Sequence, residues 1–341
     1  MPAMDHRIPV TLLTGFLGSG KTTLLNKLLR QPGMKDTAVV INELGETGLD
    51  HLLVRNVEDT YIADNTVLLG SGCLCCVLRT ELADTLRDLY FKRMLMAIPA
   101  FDRLVIETTG LADPGPILAN LLNADVIREH YRLDAVVVCV DSVYGLQQLE
   151  QHAEARKQAA VADVLLLTKS DLADESSMVQ LSARLQSLNP GATQERVANG
   201  DIDPASIIDV GLFDRTGKQA QPQRWLRASS GTQVISKSAH DHDISSFTIA
   251  LPATLTWAQL EPKLEWLCQT YGEHLLRLKG IIHACDQPVP LAVHAVQHTL
   301  YPPTSLSGWH EANAESRLVL IGKGLNTEVI SNAMTETINP V

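Results

Sequence analysis

Gly15-Phe16-Leu17-Gly18-Ser19-Gly20-Lys21-Thr22 is the stretch that decides the fold of this chain. It satisfies GxxxxGK[ST] at every fixed position, after the apolar run 10–13 and before the helical pattern 23–29. Gly15, Gly18 and Gly20 let backbone N–H groups turn inward around an anion, and the following helix adds the positive end of its dipole. Lys21 reaches the outer phosphates of a triphosphate and the Thr22 hydroxyl is a magnesium ligand, with Ser19 and Thr23 beside them. A phosphate-binding turn between strand and helix is the first expectation.

Working outward, short apolar runs at 10–13, 38–41, 67–69, 104–106, 135–140 and 164–167 alternate with longer segments. Most runs are continuous, as strands covered on both faces are. The intervening segments include helical patterns at 78–90, with Leu78, Leu82, Leu86 and Leu89 on one face, and at 178–188, with Met178, Leu181, Leu185 and Leu188. Such alternation predicts an α/β domain with a doubly wound, mostly parallel sheet. The texture then changes: 214–240 is rich in Gln, Ser, Gly, Arg and Lys without a period. Beyond it, strands at 247–251, 278–283, 291–296 and 317–321 and helices at 257–271 and 326–334 give a β-α-β-β-β-α order. That order predicts a smaller α+β domain with helices on one face of an antiparallel sheet. The expected division is 1–212, a linker or long loop at 213–241, and 242–341.

Two strand ends carry chemistry. Leu104-Val105-Ile106-Glu107-Thr108-Thr109-Gly110 is a buried strand ending in an acid, then a glycine. Glu107 is placed to hold a magnesium-bound water, and Gly110 lets a backbone N–H approach the γ-phosphate. Thr168-Lys169-Ser170-Asp171 matches the TKxD form of the guanine-reading motif. Asp171 can accept from guanine N1–H and the exocyclic amine, a donor pair that adenine lacks, while Lys169 lies along the base. GTP is therefore the expected nucleotide.

The chain has 341 residues and a net charge of −11, enough for two cores and unsuited to nucleic acid or an anionic membrane as main partner. Residues 1–8 carry no apolar leader and no run approaches membrane-spanning length, so a soluble, cytoplasmic protein is expected. Of six cysteines, Cys73, Cys75 and Cys76 crowd one loop, while Cys139, Cys268 and Cys285 stand alone. Three thiolates at that density suit zinc, cobalt or copper(I), with Glu43 and Glu46 as nearby further ligands. His240 and His242 form a dense pair at the edge of the polar segment, which reads as a solvated linker end before it reads as a weak secondary metal site. His283, His294 and His298 fall on the strands of the second domain and read as core or surface histidines.

These motifs together resemble the CobW/YjiA family of P-loop GTPases, and within it the YjiA type. The resemblance rests on the loop 15–23, on Asn42-Glu43-Leu44-Gly45-Glu46, on the CxCC run Gly72-Cys73-Leu74-Cys75-Cys76, on Glu107–Pro114, on Thr168–Asp171 and on Arg277-Leu278-Lys279-Gly280. It implies a GTPase that binds zinc or cobalt and distributes it to a client metalloprotein. Nucleotide roles fall on Gly18, Gly20, Lys21, Thr22, Thr23 and Asp171, and the metal role on Cys73, Cys75 and Cys76. Residues 42–50 match a switch segment. Ile41 stands where YjiA-type chains can carry an acid, Thr109 where serine is common, and no long histidine run is present. Slow basal turnover is expected, since no residue identifies itself as the water-positioning group or an arginine finger. Two rival readings, a small-molecule kinase and a nucleotide-binding metal sensor or scaffold without turnover, lack support in the arginine pattern and in the intact Lys21, Thr22 and Glu107. Homo-oligomerisation is left open.

Overall fold

β1 (Ile8–Gly15) is buried at all eight residues and lies at the centre of a seven-stranded sheet. The computed structural model describes residues 6–42, 67–71, 79–123, 125–208, 210, 244–306 and 315–336. The other strands of this sheet are β2 (Thr37–Asn42), β3 (Val67–Ser71), β4 (Arg103–Glu107), β5 (Tyr131–Asp141), β6 (Val164–Thr168) and β7 (Thr193–Val197). Their order is β3-β2-β4-β1-β5-β6-β7, and every pairing is parallel. The chain leaves β1 to one side for β2 to β4 and to the other for β5 to β7. The carboxyl end of β1 therefore sits where the strand order reverses, the crevice in which such sheets bind ligands.

Period-two alternation explains why the strands read as unbroken apolar runs. On β5, Ala135, Val137 and Cys139 enter one core layer with Leu24, Leu25 and Leu28 of α1 (Lys21–Leu28). Val136, Val138 and Val140 enter the other. That second layer is covered by α2 (Arg79–Met94), α3 (Pro114–Asn123), α4 (Asp125–His130), α5 (Gly145–Gln151), α6 (Ala153–Val161) and α7 (Glu175–Leu188). The helix expected at 78–90 runs four residues further, to Met94; Leu82, Leu86 and Leu89 are buried as expected, and Leu78 lies outside the described residues. β7 has no counterpart among the apolar runs. Its sequence Thr-Gln-Glu-Arg-Val buries only Val197, because an edge strand can leave polar side chains in water.

The second sheet comprises β8 (Ile244–Leu251), β9 (Leu275–Ile282), β10 (Leu291–Val296), β11 (Thr299–Leu300), β12 (Thr304–Ser305) and β13 (Ser316–Lys323). It is antiparallel, in the order β11-β10-β9-β13-β8 with β12 also on β10. α8 (Trp257–Tyr271) opens with a capping box between Thr256 and Gln259, and α9 (Thr327–Thr335) is capped by Asn326. Both helices bury their apolar residues against one face of the sheet, so the β-α-β-β-β-α reading holds, with two two-residue strands added. Of the three histidines expected on strands, only His294 is in one; His283 follows β9 and His298 lies in the turn after β10.

The first domain covers much of the other face of this sheet, although Thr248 and Ala250 of β8 stay exposed there. Leu276, Val296, Tyr301 and Ile321 join the core of the first domain, and β9 is buried at all eight residues. A bulge helps: Ile321 pairs with Arg277 and Gly322 with Leu275, so Leu276 is the extra residue and lies on the same side as Arg277. No helix among the described residues is long and apolar enough to cross a membrane. The expected linker at 213–241 lies outside the described residues.

Candidate nucleotide site

The loop between β1 and α1 is shaped by close backbone approaches. Gly15 has φ of 144°, and a Cβ there would stand 2.3 Å from the Cys139 carbonyl oxygen. Lys21 opens α1 and folds back over the loop, donating to the carbonyls of Gly15 at 2.8 Å and Phe16 at 3.2 Å. Gly18 and Gly20 both take left-handed backbone, which turns the intervening amides inward. The buried Ser19 hydroxyl has no hydrogen-bond partner among the described residues, an orphaned group inside a cradle suited to an anion. Thr23 is exposed on α1, next to Gly200.

β4 delivers Glu107 to the same place. The Thr22 hydroxyl donates to Glu107 Oε1 at 2.9 Å, so the two expected magnesium-side groups touch. Thr108 donates from its hydroxyl to that of Thr14 at 2.6 Å, holding the ends of β4 and β1 together in the core. Gly110 then turns across the loop: a Cβ at this position would lie 2.7 Å from both the N and Cα of Leu17. Only glycine fits that approach.

β6 arrives from the other side. The Thr168 hydroxyl lies 2.7 Å from the Ser19 carbonyl and 3.1 Å from that of Val140, so it fastens the phosphate loop to the sheet. Lys169 adopts a φ of 56° and pairs with Asp141 at 2.7 Å. Asp141 is buried at the end of β5, and its other oxygen accepts from the amides of Val143 and Tyr144. Asp171 is exposed and accepts from the Asn199 amide at 3.0 Å. Asp141 and Asn199 are additions to the residues that the motifs single out. Asp141 carries a signal of its own, since it ends the run 135–140 as Glu107 ends 104–106. Asn199 follows the polar strand β7 and carries none.

Gly15, Gly18, Ser19, Gly20, Lys21, Thr22, Glu107 and Gly110 thus surround one turn, with Lys169 and Asp171 joined to it through Thr168. Cys73, Cys75, Cys76, Glu43, Glu46, His240 and His242 lie outside the described residues. Among the described residues no group of three or more His, Cys, Asp or Glu side chains is placed to hold a metal. The solitary cysteines are packing groups or isolated: burial pushes the thiols of Cys139 and Cys268 up to about 12, and Cys285 is exposed, 3.4 Å from the Thr254 carbonyl.

Residues 9–196 match the nucleotide-binding domain of the CobW/HypB/UreG family, and residues 244–338 match the cobalamin synthesis protein CobW C-terminal domain. The chain belongs to this family. It is 35% identical over 326 residues to the zinc chaperone YjiA of Escherichia coli, covering 96% of this chain and 97% of that one. It is 27% identical over 348 residues to zinc-regulated GTPase metalloprotein activator 1 of Schizosaccharomyces pombe, covering 94% and 83%. The crystal structure of the Zn(II)-bound YjiA GTPase superposes with a TM-score of 0.73 at 32% identity, across 96% of this chain and 98% of that one. The CobW architecture of a parallel-sheet P-loop domain followed by an antiparallel-sheet domain is therefore the architecture of this chain.

Proposed function

We propose that this protein is a GTP-binding and slowly GTP-hydrolysing metallochaperone that carries zinc, or cobalt, to a client metalloprotein. The observation that carries the nucleotide half is the contact of Thr22 with Glu107 at the mouth of a glycine loop bridged by Lys21. A hydroxyl and a carboxylate 2.9 Å apart are hard oxygen donors of the kind magnesium takes. When bound, that ion neutralises charge on the β- and γ-phosphate oxygens.

The chain's own groups do the rest. Lys21 exchanges two neutral carbonyl acceptors for phosphate oxygens, a charge-assisted and stronger bond. Asp171 exchanges the Asn199 amide for the two donors on the guanine edge, and Gly110 presents its N–H to the γ-phosphate. The metal half rests on the family: relatives are named as zinc chaperones and as a zinc-regulated GTPase metalloprotein activator. In this reading Cys73, Cys75 and Cys76 bind the cargo, assisted by Glu43 and Glu46, and residues 42–50 respond to the γ-phosphate, so that nucleotide state governs metal binding and couples it to delivery. We assign the GTPase domain to 1–212 and the CobW-type domain to 242–341.

Hydrolysis of GTP and ATP by the purified protein with magnesium tests the reading. GTP should turn over slowly and ATP far more slowly, with Lys21→Ala and Glu107→Gln both inactive. Equal use of ATP, or turnover surviving Lys21→Ala, would remove the basis for it.

A further inference from the structure

A single helix touches both the phosphate loop and the second domain. Before its first residue, the His152 ring stacks on Phe16 of the loop, with centroids 4.5 Å apart and planes 26° from parallel. Within α6, Lys157 pairs with Asp113 at 2.8 Å, and Asp113 accepts from the Gly115 amide. The buried Gln158 donates from Nε2 to the carbonyls of Gly110 at 3.1 Å and Ala112 at 3.0 Å. At the last residue of the helix, Arg277 of β9 donates to the Val161 carbonyl at 3.0 Å and pairs with Asp163 at 2.7 Å.

The Gln158 amide is oriented by what it faces. Two carbonyls require its NH2 group, which leaves Oε1 buried with no partner among the described residues. An amide that forgoes its own acceptor to hold two carbonyls is a device for placing the turn those carbonyls belong to. That turn is the one whose glycine lies against the Leu17 backbone. Gln158 and Val161 are three apart, on neighbouring turns of one face, so a displacement at Arg277 reaches Gln158 through less than one helical turn.

We propose that Gln158 is a positioning residue that sets the Gly110–Ala112 turn against the phosphate loop, so that Gly110 meets the γ-phosphate. The seating of Arg277 on the end of α6 makes that setting depend on the second domain. The inference rests on the nucleotide reading above, and its test separates the two.

The full-length protein is titrated with GDP and with GTPγS, alongside Gln158→Leu, Gln158→Glu, Arg277→Met and Lys21→Ala. Gln158→Leu should weaken GTPγS by roughly tenfold, the worth of one well-placed hydrogen bond to a charged group. GDP should stay within about twofold, since it lacks the phosphate that the turn would meet. Gln158→Glu, of the same shape but without N–H donors, should behave like Leu or worse. Arg277→Met should shift the same ratio the same way, by roughly threefold, an indirect effect smaller than the direct one. Unchanged affinities in both Gln158 variants, or equal losses for GDP and GTPγS, overturn the inference. An unchanged ratio in Arg277→Met overturns its second half. If Gln158→Leu does not fold, Lys157→Met cuts the neighbouring tether, to Asp113 at the end of that turn, and must itself shift the ratio. Should wild type bind neither nucleotide, or Lys21→Ala bind GTPγS as well as wild type, the nucleotide reading falls instead.

Discussion

The two ends of β6 treat charge in opposite ways. At its start Asp163 is sealed between domains, where it pairs with Arg277 and Lys279, and it accepts from the Val136 amide at 2.8 Å. Burial alone would push its carboxyl up, but the two cations outweigh that and hold it well below the usual carboxylate range. At the other end, about five residues or 17 Å away, Asp171 is exposed and Lys169 half-buried against Asp141, and Asp171 leans on a backbone amide that a ligand can replace. At β6, the carboxylate that joins the domains is largely buried and paired with two cations, whereas Asp171, kept for the base, is exposed and held by the Asn199 amide.

The sharpest way to break this contrast is Asp163→Asn. It leaves two buried cations short of their counter-ion, and should cost about 3–5 kcal/mol in urea unfolding. A loss no greater than that of an exposed carboxylate would erase the distinction between the two ends.

Asp171→Asn should do the reverse. Thermal stability should barely move, while affinity for GTP falls about 100-fold relative to xanthosine triphosphate, whose carbonyl suits an amide donor. Competition binding with the two nucleotides measures this, and a retained preference for GTP would remove Asp171 from base recognition.

The seam should also respond to pH. Burial and the neighbouring Arg277 and Lys279 outweigh Asp163 and lower the His294 imidazole to about 3. Because the unfolded chain then binds the proton more readily, this contribution is complete above about pH 6.5 and shrinks as pH falls toward 3. Between pH 7 and 5 the loss should be about 2 kcal/mol, and His294→Gln should flatten it. Asp163 adds a loss of the same sign, but only below about pH 4, where the unfolded carboxylate protonates. Chemical unfolding across this range is the check, and an equal slope in the variant would contradict it.

The smallest effect belongs to Thr168, at the junction of strand and loop. Thr168→Val keeps the shape but removes the hydroxyl from the Ser19 and Val140 carbonyls, and should cost about 1 kcal/mol. GTP affinity should fall a few-fold, measured by titration.

The same contrast governs which features are legible in the amino-acid sequence. The phosphate loop is legible because its demands are local: glycine where a Cβ would strike the Cys139 carbonyl, lysine and threonine at the helix start. The parallel sheet is legible because strands covered on both faces leave unbroken apolar runs. β7 escapes because an edge strand need not be apolar, and α6 because alanines and polar residues give a weak face. The Asp163–Arg277–Lys279 seam joins residues more than 110 positions apart, a pairing no local pattern announces. Arg277 and Lys279 carry part of the family resemblance, yet their role becomes visible only when β9 is laid against α6 and Asp163, just before β6. Gln158 is an ordinary glutamine until two carbonyls face it.

The central claim, that nucleotide state governs metal binding, is tested most directly by titrating zinc into the metal-free protein with GTPγS or GDP bound. A variant with Cys73, Cys75 and Cys76 all changed to Ser is measured in parallel. The account predicts a zinc affinity that differs between the two nucleotides by at least roughly fivefold, the low end of ordinary allosteric coupling, and that is lost with the thiols. Equal affinity in both states, or zinc binding that survives the triple substitution, would contradict it.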